Sequence, residues 1–135
     1  MSGATAFFNR TYDECMALLI ETRNYVAHTE ATDLRPLPPG LRLQASYESM
    51  RVTSRLTQVM AWLLAQKAVH AGEMTARQAA SEEYALSGGA LCTDAGGQEN
   101  AALPGGLRSL LARSHGLYLR VERLDDMVRR NVAAA

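Results

Sequence analysis

The segment SYESMRVTSRLTQVMAWLLAQKAVHAGE, Ser46 to Glu73, constrains the fold more than any other part of the chain. It runs to Gly72 without a proline or glycine, and the helix it predicts extends from about Leu41 to Ala71. With about 100° between successive residues, Leu43, Tyr47, Met50, Ser54, Thr57, Ala61, Leu64 and Ala68 form one face, small in its middle. Val52, Leu56, Val59, Met60 and Leu63 form a second face. Between them runs a narrow polar strip of Gln44, Glu48, Arg51, Arg55, Gln58 and Gln66, and the single tryptophan, Trp62, falls in that strip. A helix with two apolar faces must cover both, which places it between other helices or at a dimer contact.

The flanking sequence supplies those helices. Before it, TYDE offers a capping box from Thr11 to Glu14, and Cys15, Leu18, Leu19, Thr22, Tyr25 and Val26 recur at helical spacing, so a helix over about 10–30 is expected. Met16, Ile20 and Ala27 add a weaker patch beside that stripe. Pro36, Pro38 and Pro39 then break the chain and can open the next helix. After it, TARQ predicts a capping box from Thr75 to Gln78 and a short helix ending near Tyr84. Ala85 to Gly106 holds six of the ten glycines and reads as a flexible loop. Leu107, Leu110, Leu111, Ser114, Leu117, Val121, Leu124 and Val128 mark a third long helix, about 107–130, followed by a flexible end, 131–135. The expected fold is all-α: an antiparallel three-helix bundle in one domain, 1–130, with a short extra helix after the second, folding alone or as a small homo-oligomer.

Length and charge narrow the function. A chain of 135 residues is sized for one core, and its fourteen basic and fourteen acidic side chains cancel, which removes the overall positive field of a dedicated nucleic-acid binder. The longest apolar run, Val59 to Ala65, is seven residues against the roughly 20 of a membrane span, and the amino terminus has no signal-peptide pattern. A cytoplasmic protein is expected.

Chemistry-bearing residues do not gather. His28, His70 and His115 fall on three helices with no carboxylate or thiol at ligand spacing, so no metal site is expected. Cys15 lies on an apolar stripe as a small core residue, and Cys92 lies in the glycine loop, a poor place for a preorganised nucleophile. The loop lacks a phosphate-binding pattern and any basic residue between Tyr84 and Arg108. No constellation supplies a nucleophile, a base and an orienting group together, so neither enzymatic activity nor a cofactor is expected. ARSHGLYLRVERL invites comparison with a helix-turn-helix, but the apolar stripe passes through Gly116 in phase, as one continuous helix does. Arg113, Arg120 and Arg123 remain on the side away from the core, as contacts for an anionic protein partner or, in an alternative reading, for DNA in a small helical regulator. Arg51, Arg55, Gln58, Trp62 and Gln66 are the other candidate partner contacts, Trp62 serving either as a lid on the core edge or as an exposed anchor. Tyr47, Met50, Val59, Leu63 and Leu117 are expected in the core or at a dimer contact.

The central block SYESMRVTSRLTQVMAWLLAQKAVHAGE, together with RTYDECMALLIETRNY before it and LPGGLRSLLARSHGLYLRVERLDDMV after it, resembles the regulator-of-CtrA-degradation (RcdA) family of proteolytic adaptors. The resemblance implies a homodimeric three-helix bundle without enzymatic activity. It implies delivery of substrates to the AAA+ protease ClpXP, beside the response regulator CpdR and the cyclic-di-GMP-binding adaptor PopA, with the cell-cycle regulator CtrA among the cargo. Family members are expected to carry a flexible polar tail after the third helix, whereas this sequence stops at NVAAA. Ala134 and Ala135 resemble the carboxy-terminal signals that ClpX engages and are a candidate degradation signal.

Overall fold

The computed structural model describes residues 2–135, with side chains from Ala6 onward. Met1, the first residue of the expected domain, lies outside the described residues. The elements are α1 (Ser2–His28), α2 (Glu30–Leu34), α3 (Pro39–His70), α4 (Ala76–Ala79), a single 3₁₀ turn (Glu82–Tyr84), α5 (Gly89–Thr93) and α6 (Gly105–Ala134). The fold is all-helical, with no strand among the described residues. No helix is long and apolar enough to cross a membrane.

Helix ends follow local chemistry with two exceptions. Thr75 and Gln78 form the expected capping box of α4, and Gly72 follows α3 at φ +77°, where a side chain would be strained. Tyr25 Oη donates to Asp33 Oδ2 at 3.1 Å, holding α2 against α1 before the prolines turn the chain. Thr11, however, is not a cap. Its hydroxyl donates to Phe7 O within α1, which starts at Ser2 rather than near residue 10 because Phe8 packs on Trp62 and His70 at the far end of α3. At the other end α6 runs past 130 to Ala134, so the terminal residues expected to be flexible continue a helix.

The pairings fix the direction of each long helix. Phe8 meets Trp62 and His70, the Cys15 thiol donates to Leu56 O, and Val26 shares a groove with Met50, so α1 runs antiparallel to α3. Glu14 pairs with Arg120 and Glu21 with Arg113, so α1 is antiparallel to α6 as well. Arg55 meets Leu111 and Ser114, whereas Trp62 meets Asp125, so α3 and α6 run in the same direction. This corrects the expectation of a bundle antiparallel throughout. At about 1.5 Å per residue α3 is close to 50 Å long, and the chain must travel back along it before α6 can begin.

Residues 71–104 make that return, and they are not a flexible loop. Arg129 Nη2 donates to Ser81 O at 3.5 Å, Tyr118 Oη to Ser87 O at 2.8 Å, and His115 Nε2 lies 2.8 Å from Thr93 O. Ser87 N and Oγ both donate to Gln58 Oε1. Cys92 and Leu103 of this segment join the core with Leu56, Leu63, Leu107, Leu111 and Leu117. Two glycines are there because the backbone closes on its neighbours. At Gly88, φ +117°, a Cβ would collide with the Cys92 sulfur, and at Gly96, φ +78°, it would stand 2.8 Å from Arg51 Nε.

Arg55, fully buried, ties the return segment to both long helices. Its Nε donates to Cys92 O (3.0 Å), its Nη2 to Asp94 O (2.5 Å) and Ala95 O (3.2 Å), and its Nη1 to Leu111 O (3.0 Å) and Ser114 Oγ (3.1 Å). Burial, with Arg51 nearby, draws its pKa down to about 10, which still leaves it charged at neutral pH. Arg55→Ala should lower the unfolding free energy by about 3 kcal/mol or more by orphaning those oxygens. Arg55→Lys should recover little of it, since an ammonium lacks the planar fork. Urea unfolding followed by circular dichroism measures both, and full stability of the lysine variant would contradict this account.

Candidate functional site

The strip expected to display partner contacts is instead the inner face of α3. Arg55 is enclosed as described, and Arg51, also buried, donates to Glu48 Oε1 at 2.7 Å and to Leu91 O at 2.7 Å. Trp62 is 1% exposed, with Nε1 donating to Asp125 Oδ1 at 2.9 Å. Asp125 in turn accepts from Arg129 at 3.2 Å, so a buried carboxylate is satisfied from two sides. Gln66 is buried and its amide nitrogen has no partner among the described residues, while Gln58 is half-buried against Ser87. The reading of these residues as a display surface is corrected. Of the two roles open to Trp62, the structure selects neither an exposed anchor nor a rim lid, but a core residue.

The apolar face of α3 that was expected to be covered is open in the single chain. Leu43 is 74% exposed, Met50 64%, and Tyr47 and Leu64 about half, while Val59, Leu63 and Leu117 lie in the core. Val26 of α1, also exposed, lies beside Met50 and extends the patch onto the neighbouring helix. Leu43, Tyr47 and Met50 thus form a cluster of large exposed side chains, separated from Leu64 by the smaller Ser54, Thr57 and Ala61.

The arginines of α6 do lie outside. Arg113 Nη1 donates to Glu21 Oε1 at 3.0 Å, with a second contact from Nη2 to Glu21 Oε2. Arg120 Nη2 reaches both oxygens of Glu14 at 2.7 Å. Arg113 holds the Glu21 carboxyl below the usual carboxylate range, and Glu21 raises the guanidinium in return. Arg123 is exposed and makes no hydrogen bond or ion pair among the described residues. With two of the three charges met by glutamates, this face lacks the uniform positive field that phosphate binding uses.

The remaining candidates stay apart. His28 is exposed at the end of α1, His70 packs on Phe8, and His115 is held between Thr93 O and Gln98. No group of three metal-ligating side chains forms among the described residues. Burial, helped by Glu14, pushes the Cys15 thiol up to about 12, and burial also raises Cys92 against the opposing pull of Arg55 and Arg51. Both thiols are therefore neutral at physiological pH, the wrong state for a nucleophile. Ala134 and Ala135 are exposed.

A family model described as "Protein of unknown function (DUF1465)" matches residues 2–135. The crystal structure of RcdA from Caulobacter crescentus CB15 is similar with a TM-score of 0.72 and 40% sequence identity, over 90% of this chain and 89% of that one. No curated protein sequence matches the chain.

Because Trp62 is the only tryptophan, its burial is directly measurable. Its emission should be blue-shifted and poorly quenched by acrylamide until the protein unfolds. Trp62→Phe should cost about 2 kcal/mol through the lost bond to a charged acceptor, read from chemical unfolding. Free quenching in the native state would contradict the observed packing.

Proposed function

This chain belongs to the RcdA family, and on that premise we propose that it is a non-enzymatic adaptor that helps deliver cell-cycle regulatory substrates, CtrA among them, to ClpXP. It acts as a single helical-bundle domain in the cytoplasm and works through protein surfaces, with CpdR and PopA as further partners by family resemblance. The observation that carries the reading is the open apolar face of α3, from Leu43 through Tyr47 and Met50 to Leu64. A regulator without a reaction centre needs surfaces, and this face has the self-complementary character of a two-fold contact, with large side chains at both ends and Ser54, Thr57 and Ala61 between them. A homodimer built on it leaves the α6 arginines, Arg113, Arg120 and Arg123, free for other proteins.

The double variant Leu43→Glu, Met50→Glu should sediment as a monomer with unchanged helicity, because neither side chain belongs to the core. A wild-type monomer, or a variant that stays dimeric, would remove this interface. In a reconstituted ClpXP reaction the wild-type protein, with CpdR and PopA, should accelerate loss of CtrA. An unchanged rate would remove the adaptor reading itself.

Ala134 and Ala135 are proposed as a signal by which the protein is itself degraded when free of cargo. Since α6 extends to Ala134, engagement requires unwinding its last turn, the weakest part of a helix. Ala134→Asp with Ala135→Asp should lengthen the half-life in a ClpXP assay, and an unaltered half-life would exclude the signal.

A further inference from the structure

The ion pairs Glu14–Arg120 and Glu21–Arg113 bridge α1 and α6 seven residues apart on each helix, which leaves a window about 10 Å long between them. Leu18 and Leu117, both buried, form the floor of this window, and Ala17, Ala112 and Gly116 its edges. Gly116 lies in the interior of α6, without a left-handed backbone, and a Cβ added there would meet nothing within 4 Å. Helix interiors disfavour glycine relative to any residue but proline. Neither backbone geometry nor packing within the chain requires glycine at this exposed position, and its missing side chain leaves the window open to solvent.

The electrostatics of the rim indicate which group that is. Glu14 and Glu21 are each engaged by an arginine, whereas the guanidinium of Arg123, on the same wall, has no acceptor among the described residues. Among the lining residues the rim therefore keeps one exposed, unpaired guanidinium and no unpaired carboxylate.

We propose that this window is a socket for one aliphatic side chain of an acidic segment on a protein partner, the apolar group seating over Leu18 and Leu117 and a flanking carboxylate pairing with Arg123. The assignment rests on the adaptor reading and specifies what one of its surfaces recognises. A basic segment would meet the unpaired Arg123 and find both rim carboxylates already engaged, and a wholly polar one would leave the floor unfilled.

The test uses the full chain and a fluorescein-labelled peptide of glutamate and alanine with one central leucine, read by anisotropy. Wild-type protein should bind it, and replacing that leucine with alanine or the glutamates with lysine should weaken binding by about tenfold or more. Gly116→Leu fills the window from within. It should raise the melting temperature, since it improves helix propensity and its Cβ meets nothing within 4 Å, and should weaken binding by the same factor or more. Arg123→Glu should weaken it as well. Equal binding by wild type and Gly116→Leu, equal binding of the lysine peptide, or no binding of the leucine peptide would overturn the socket. Dissociation of a wild-type dimer on Gly116→Leu would assign the window to a second copy of the chain and overturn the proposal in that way. Failure of wild-type protein to accelerate CtrA loss strikes the adaptor reading alone. Undiminished delivery by a Gly116→Leu protein that no longer binds peptide would separate the socket from cargo delivery and overturn its place in that reading.

Discussion

The architecture depends on one buried guanidinium. Arg55 sits where α3, α6 and the return segment meet, and backbone oxygens of Cys92, Asp94, Ala95 and Leu111 surround it in place of a carboxylate. A charge in that position is tolerable only because every donor of the fork finds an acceptor, and those acceptors are in turn buried without cost. The arrangement is mutual: the arginine needs the segment for solvation, and the segment, lacking regular structure over much of its length, needs the arginine for its carbonyls. Arg51 repeats the device one turn earlier, with Glu48 as counter-charge and Leu91 as carbonyl partner.

From that joint the direction of the helices follows. With α3 and α6 parallel, the connection has to retrace much of α3, and it does so in contact with both helices. It forms a fourth layer, which is why the polar strip of α3 is inside. The rotation that buries the strip turns the face of Leu43, Tyr47, Met50 and Leu64 outward. The apolar face offered for association and the buried arginine core are thus two consequences of one rotation of the central helix about its axis.

The two surfaces that result are chemically distinct. The α3 face is broad and apolar, suited to a second apolar face. The seam between α1 and α6 is narrow, framed by two ion pairs and a glycine. Exposed pairs such as Arg113–Glu21 add little to stability, being screened by water and salt. Their visible effect is to fix the positions of side chains that would otherwise sweep across the opening.

Much of this was legible in the sequence. Helical periodicity located all three long helices, the TARQ capping box located the start of α4, which ends at Ala79 rather than near Tyr84, and Gly72 marked the end of α3, because these features depend on residues a few positions apart. The resemblance of the central block identified the family. Of the α1 stripe, Cys15, Leu18, Thr22 and Tyr25 are buried and Leu19 packs on the core, whereas Val26, expected with them, is exposed beside Met50, because the stripe drifts off the face that α3 covers. Periodicity could not say which of the three faces of α3 points inward. Arginine, glutamine and tryptophan in a strip read as solvent-facing unless backbone carbonyls from forty residues away are known to meet them. Gly88 and Gly96 read as freedom and proved to be clearance for Cys92 and Arg51. The sequence by itself determined which segments are helical, since that is settled by local hydrogen bonding and side-chain spacing. Only the tertiary structure decided the parallel run of α3 and α6, the burial of Arg55 and Trp62 and the exposure of the Leu43 face, because each depends on where distant polar groups find their partners.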